Sequence, residues 1–402
     1  ISLETRAEDA LNEATLLARQ RLGAGAPDIV FVFISAHHRN QFQDVIPAIQ
    51  KKLGARHILG CSAGGVIGAA HEAEQVAALS VTAAIMPGVE VTPIRMEDAK
   101  LPNLDGSPRE WEQLTGVKIP RDEKEPSPYF LVLADPFSIN VEALVAGLDY
   151  GYPRSVKVGG LASAANGPGQ NALFLDQHLF REGAIALALS GNVVIDSVVA
   201  QGSRPIGQPM SITKCNRNIL IELDKRRALE VLHELYQNAD ERDKELIRTR
   251  LNLGLVMNPF IDGDPKPGDF LMRNLLGMDA ERGALAIGAL LREGQKVQFH
   301  VRDALSASED LEAVMRRYTT ERLEAAGGES VPAPPSGALL FSCLGRGIHL
   351  YNRPHHDSTV FQSHLGEVPI GGFFCNGEIG PVQSTTYVHG FTSCFGIFRS
   401  KN

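Results

Sequence analysis

The sequence lacks the clustered positive charge that a nucleic-acid face requires. Its 402 residues carry 39 Lys and Arg against 47 Asp and Glu, a formal charge of −8, which argues against a nucleic-acid-binding face, and no nucleic-acid partner is expected. It also lacks a run of about 18 apolar residues, the length a membrane-crossing helix needs. The most apolar stretch, Gly183 to Ala200, is interrupted by Ser190, Gly191, Asn192 and Asp196, and the chain is not expected to span a membrane. Cysteine is sparse: Cys61, Cys215, Cys343, Cys375 and Cys394 are widely spaced, with no C-x-x-C pair. That pattern argues against a disulfide framework and a zinc site and suits a reducing compartment. No metal and no cofactor are expected. No signal-peptide pattern stands at the front. The first residue is Ile1, so either a leader has been removed or the chain starts inside a longer product. The expected location is intracellular and soluble: the cytoplasm, or a plastid stroma if a leader was cleaved.

What is present is repetition. A chain of this length is expected to form two lobes. Three segments share one order of events. "IVFVFIS" (Ile29 to Ser35) reads as a buried strand, Asp44 to Leu53 as a helix, and Ile58-Leu59 as a strand ending in "GCSAGG" (Gly60 to Gly65). "YFLVLA" (Tyr129 to Ala134) is followed by a helix from Val141 to Leu148, with Asn140 as its cap, and by "VKVGGLAS" (Val156 to Ser163). "GALLFSC" (Gly337 to Cys343) returns through "EVPIGGFFCNGE" (Glu367 to Glu378). This is β-α-β spacing. Between the units, Ala184 to Ala200 reads as a hairpin around Gly191-Asn192, and Ala284 to Val301 as another turning at Arg292 to Gln295. Tyr387 to Phe398 reads as a final strand. Further helices are expected at Glu8 to Arg21, Lys225 to Gln237, Asp240 to Leu251 and Ser308 to Ala326, the last capped by Ser308. Pro120 to Pro128 and Gly327 to Ser336 read as loops. The fold class that follows is α/β: two related lobes of mixed β-sheet flanked by helices, built from repeated β-α-β units and hairpins, with the lobe boundary near Leu223 to Lys225.

"GCSAGG" contains G-x-S-x-G, the pattern of a hydrolase nucleophile elbow, which requires a helix immediately after the serine. Here three glycines fall between Gly64 and Gly68, and each costs a helix about 1 kcal/mol relative to alanine. The other two turns keep the glycines without that serine. Ser62 is therefore read as part of a glycine turn and not as a nucleophile. Such turns at the carboxyl ends of strands can form anion-accepting nests, where ligands of open α/β sheets bind, or can simply allow tight packing.

The stretch Gly371 to Gly396, "GGFFCNGEIGPVQSTTYVHGFTSCFG", resembles the C-terminal signature of the FIST domain family. Both of its blocks stand intact, F-x-C-x-G-E-I-G-P at Phe373 to Pro381 and hHG[FY]T at Tyr387 to Thr392. "VFISAHH" (Val32 to His38), "GCSAGGVIG" (Gly60 to Gly68) and "VGGLAS" (Val158 to Ser163) resemble the family's first module in the expected order. The resemblance implies residues 1–28 as a helical lead-in, 29–224 as a FIST N-terminal module and 225–402 as a FIST C-terminal module. It further implies a sensory protein that binds a small ligand, with amino acids as the suggested class, as in bacterial sensors and FIST-containing F-box proteins. No kinase, receptor or F-box segment stands before Ile29, so action through a partner protein is expected.

The candidate ligand-binding residues are Cys61, Ser62, Gly64 and Gly65 of the first turn, Gly160 and Ser163 of the second, and Cys375, Asn376, Gly377, Glu378 and His389. Glu378 lies among Phe373, Phe374 and Ile379 and would need a partner if buried. A ligand ammonium group would serve, whereas an exposed turn or a nearby Arg would make it ordinary. Asn376 and the amides around Gly377 would hold a ligand carboxylate, or form a plain turn. One alternative is a cysteine-dependent hydrolase or transferase using Cys375, His389 as base and Glu378 as orienter. Another is a ligand-free assembly protein. The pairs His37-His38 and His355-His356 are read as strand neighbours on opposite faces, unsuited to a metal. Asp135-Pro136 and Asn258-Pro259 each follow an apolar run at an expected strand end, placed either to line the pocket or to turn the chain.

Overall fold

A computed structural model describes residues 1–258, 260, 263–327 and 333–401. Pro259, and residues 328–332 of the proposed Gly327–Ser336 loop, lie outside the described residues. The chain divides into two compact units. The first comprises Ile1–Val199, Val314–Val388 and Thr392–Asn402; the second comprises Ala200–Ala313 and His389–Phe391. The fold is mixed α/β, with mixed sheets flanked by helices.

All three β-α-β units lie in the first. Strand Ile29–Ser35 is followed by helix Val45–Leu53 and runs parallel to strand His57–Ala63. Strand Tyr129–Ala134, helix Val141–Gly151 and strand Lys157–Leu161 repeat the arrangement, and Asn140 caps the helix by accepting from the Ala143 amide at 3.0 Å. Strand Gly337–Cys343 and strand Ile370–Cys375 form the third parallel pair, joined through helices Gly347–Tyr351 and His356–Leu365. These strands read as unbroken apolar runs because both faces are covered. Along Ile29–Ser35, Phe31 and Phe33 face one core while Val30, Val32 and Ile34 face another. The core of Phe31 and Phe33 also takes Leu131, Leu133, Leu339, Phe341 and Phe373, with the Phe33 and Phe373 rings stacked at 4.8 Å between centroids. One apolar layer thus ties the three units together.

The two expected hairpins are corrected. Ala184–Gly191 pairs with Tyr129–Ala134 and Val89–Met96, whereas Val194–Ala200 belongs to the sheet of Gly337–Cys343. Gly191-Asn192 carries the chain between sheets, and the Asn192 amide binds Gly88 O at 2.8 Å. Ala284–Ile287 and Lys296–Val301 likewise pair with different neighbours. In both cases a turn between two apolar runs matched a hairpin pattern although each run is buried in separate pairings. Tyr387 to Phe398 is two strands, Thr385–His389 and Ser393–Arg399, in different sheets. The expected Ser308 cap is also wrong. The helix is Ala304–Ala325, and Asp303 Oδ1 accepts from the Ser306 amide at 2.8 Å at its start.

A hairpin of strands Gly65–Gly68 and His71–Glu74 extends the third unit's sheet, pairing antiparallel with Ile370–Cys375. The second unit is a seven-stranded antiparallel sheet in the order Arg204–Asn216, Lys296–Val301, Leu251–Val256, Phe270–Asp279, Ala284–Ile287, Ile219–Leu223, Arg226–Arg227. Helices Ala228–Asn238 and Glu241–Arg250 pack on it over Leu220, Leu223, Leu253 and Phe299.

Candidate functional site

The three glycine turns meet at the carboxyl ends of the parallel strands of the first unit. Ser163 joins them: its amide donates to Ser62 O at 3.2 Å, its Oγ accepts from the Gly64 amide at 2.9 Å, and its hydroxyl donates to Phe374 O. The second and third turns are linked again by Asn376 N to Leu161 O at 3.1 Å and Leu161 N to Gly377 O at 2.9 Å. Glu378 sits opposite Gly160 in the strand register. At Gly160 a Cβ would fall 2.4 Å from Cys375 Sγ, so only glycine permits this approach. Cys61, Ser62, Gly65, Cys375, Gly377 and Glu378 are buried, Gly64 is half-buried and Asn376 is exposed. The Asn376 main-chain N–H is the one that donates to Leu161 O. His389 is buried and is grouped with the second unit.

Strand Gly65–Gly68, not a helix, follows Ser62. The Ser62 Oγ accepts from the Ala172 amide at 2.8 Å. The neighbouring Asn171 donates through Nδ2 to Asp135 Oδ1 at 2.8 Å, and Asp135 also accepts from Ser138. Glu378 is fully buried, and its Oε2 accepts from the Thr392 amide at 3.1 Å and the Thr392 hydroxyl at 2.8 Å. Its burial sets aside the anticipated exposed turn. Burial pushes the Cys375 thiol well above its ordinary range, and the Glu378 charge adds to this. That is the opposite of what a thiolate nucleophile requires.

One lining of this end escaped sequence reasoning. After strand Ile29–Ser35 the chain forms a 3-10 segment, Ala36–Asp44, so His37 and His38 are not strand neighbours as expected; nor are His355 and His356, which begin a helix. Ala36, His37, Arg39 and Asn40 line a hollow of about 330 Å³. The Arg39 guanidinium donates to Ala164 O at 2.7 Å, which places the hollow beside the second turn. Arg39 is exposed and forms no ion pair among the described residues. Nothing in its local sequence marks it, because its position depends on the turn 125 residues away.

A second polar assembly was also missed. Arg346, fully buried, donates Nε to Asp357 Oδ2 at 2.8 Å and Nη2 to Oδ1 at 3.0 Å. The Ser342 and Ser393 hydroxyls donate to the same Oδ2. Burial alone would raise Asp357, but Arg346 and the hydrogen bonds outweigh it and hold the carboxyl far below the usual range. Beside it, Glu72 Oε1 accepts from the Ser358 amide at 2.8 Å and from its hydroxyl. Glu74 Oε1 accepts from the Ile348 amide at 2.9 Å. Two glutamates on one face of strand His71–Glu74 therefore accept from amides at the starts of the helices beginning at His356 and Gly347, groups a helix leaves unpaired. Gly347 is required there, since φ is +62° and a Cβ would lie 2.3 Å from Glu74 Oε1. Burial and then the Asp357 charge push Glu72 up to about 7. No group of three or more His, Cys, Asp or Glu side chains is placed to hold a metal among the described residues, and no described helix is long and apolar enough to cross a membrane.

Comparison with known proteins matches the FIST N domain to residues 28–226 and the FIST C domain to residues 228–381. An uncharacterized protein of Mycobacterium tuberculosis strain H37Rv is 33% identical over 386 residues, covering 96% of this chain and 95% of that protein. An uncharacterized protein of Mycobacterium bovis is 31% identical over 392 residues, covering 98% and 96%. Human F-box only protein 22 is 30% identical over 116 residues, covering 27% of each chain. These full-length relatives are bacterial and lend the plastid alternative no support.

Proposed function

This chain belongs to the FIST family, whose domains are generally sensory, and on that premise we propose that it is a non-catalytic sensor of a small amino-acid-like metabolite, acting through a partner protein. The carrying observation is the joining of three strand-end turns by Ser163 beside the Arg39 hollow. Ligands of α/β sheets bind outside the carboxyl ends of strands, where the open depression at Arg39 lies. In this reading Arg39 takes the ligand carboxylate, as a planar guanidinium does best. The exposed Asn376 side chain offers further hydrogen bonds at the turn rim. The glycine-turn residues Cys61, Ser62, Gly64, Gly65, Gly160, Ser163, Cys375, Gly377 and Glu378 are candidates at the same strand ends, linked to Arg39 through Ala164. The buried, raised Cys375 thiol weighs against the cysteine-enzyme reading.

The test is a thermal-shift screen against amino acids and related carboxylates. A ligand at 100 times its dissociation constant should add about 2.7 kcal/mol. Arg39→Gln should abolish that shift, while the free protein keeps its fold by circular dichroism and loses at most the contribution of the Ala164 hydrogen bond, about 1 kcal/mol. No response from any member of the panel, or a response indifferent to Arg39→Gln, overturns the reading.

A further inference from the structure

At the opposite end of the first unit, where strands Ile29–Ser35 and Gly337–Cys343 begin, a second cavity of about 310 Å³ opens. Its walls are apolar: Phe31, Ala84, Met86, Leu339, Pro369 and Phe398 all contribute, with Ile85 at 44% exposure beside them. The main-chain groups nearby are already paired, as Ser336 N binds Phe398 O and Ala338 N binds Pro369 O, both at 2.8 Å. One cation lines the cavity. Arg21, from the last turn of helix Ala7–Leu22, forms no ion pair or hydrogen bond among the described residues. The carboxylate next to Met86 does not serve it: Asp28 Oδ2 accepts from the Met86 amide at 2.8 Å and Oδ1 faces Arg56 at 3.2 Å. The Thr82 hydroxyl also lines the cavity.

We propose that this cavity is a second small-molecule site, taking a monocarboxylate with an unbranched apolar tail of medium length. An apolar cavity with few polar groups is the usual make-up of a ligand site. An unpaired guanidinium at its edge selects a carboxylate head over an amine or a neutral chain. The site rests on none of the residues of the glycine-turn end and is independent of the reading given there.

The test is isothermal titration of the full chain with hexanoate, octanoate and decanoate, with octylamine as the charge-reversed control. Each pair of methylenes should tighten binding about fifteenfold, since each contributes about 0.8 kcal/mol and 1.4 kcal/mol is tenfold. Octylamine should not bind. Arg21→Gln, on an exposed helix position, should weaken octanoate at least tenfold without altering the melting of the free protein or any amino-acid response. Ile85→Trp, at the edge of the cavity, should exclude decanoate. Equal binding of octylamine and octanoate, indifference to Arg21→Gln, or no carboxylate binding up to millimolar concentration overturns the proposal.

Discussion

Ser163 and Phe374, 211 residues apart in the chain, are joined by a hydrogen bond from the serine hydroxyl to the phenylalanine carbonyl. The same hydroxyl oxygen receives the Gly64 amide, so one small side chain bridges segments from three β-α-β units.

Removing that oxygen leaves a buried carbonyl and an amide without partners. Ser163→Ala should therefore cost about 1–3 kcal/mol, read as a lowered urea midpoint with an unchanged slope. A midpoint within error of the parent would show that water replaces the hydroxyl.

Gly160→Ala should destabilise by about 1–3 kcal/mol through overpacking, because its Cβ would press on Cys375 Sγ. Cys375→Ala in the same chain should recover part of that loss. A double-mutant cycle measures the coupling, and strict additivity would contradict the contact.

Glu72 gives a pH signature. Its carboxyl is raised to about 7 from an ordinary 4.5, so the folded state favours the protonated form. The associated stability is full below pH 4.5 and is lost as pH rises through about 7. Glu72→Gln keeps an oxygen for Ser358 and cannot ionise. Its stability relative to the parent should rise from pH 4.5 to 7 and then level off, as followed by urea unfolding across that window. A flat difference would mean that the Glu72 carboxyl titrates alike in the folded and unfolded chains.

The buried Arg346–Asp357 pair makes the converse case. Asp357→Asn leaves the guanidinium without its counter-charge, and breaking such a pair costs about 3–5 kcal/mol. Denaturant titration of the variant reads this loss; a change below about 1 kcal/mol would show the pair to be water-compensated.

The β-α-β units were legible because their signals are local. "IVFVFIS" and "YFLVLA" are apolar on both faces, and Asn140 caps within three residues of its target. The false hairpins arose from the same local logic: two apolar runs around Gly191-Asn192 look alike whether they pair with each other or with distant strands. At the site, the glycine turns and Glu378 could be singled out from motifs. Thr392 as the partner of Glu378 could not, nor could Arg39, whose role comes from Ala164. The Arg346–Asp357 assembly was invisible for the same reason, because Glu72, Ser342 and Ser393 reach it only through sheet pairing.

The hairpin from Gly65 to Glu74 carries a last implication. It supplies the sheet neighbour of Ile370–Cys375 and the carboxylates at the starts of two later helices. A fragment beginning after it would present a bare strand edge, prone to self-association, and two uncapped helix starts. Polypeptides cut between these segments should therefore regain solubility only when both pieces are co-expressed, whatever the point of the cut.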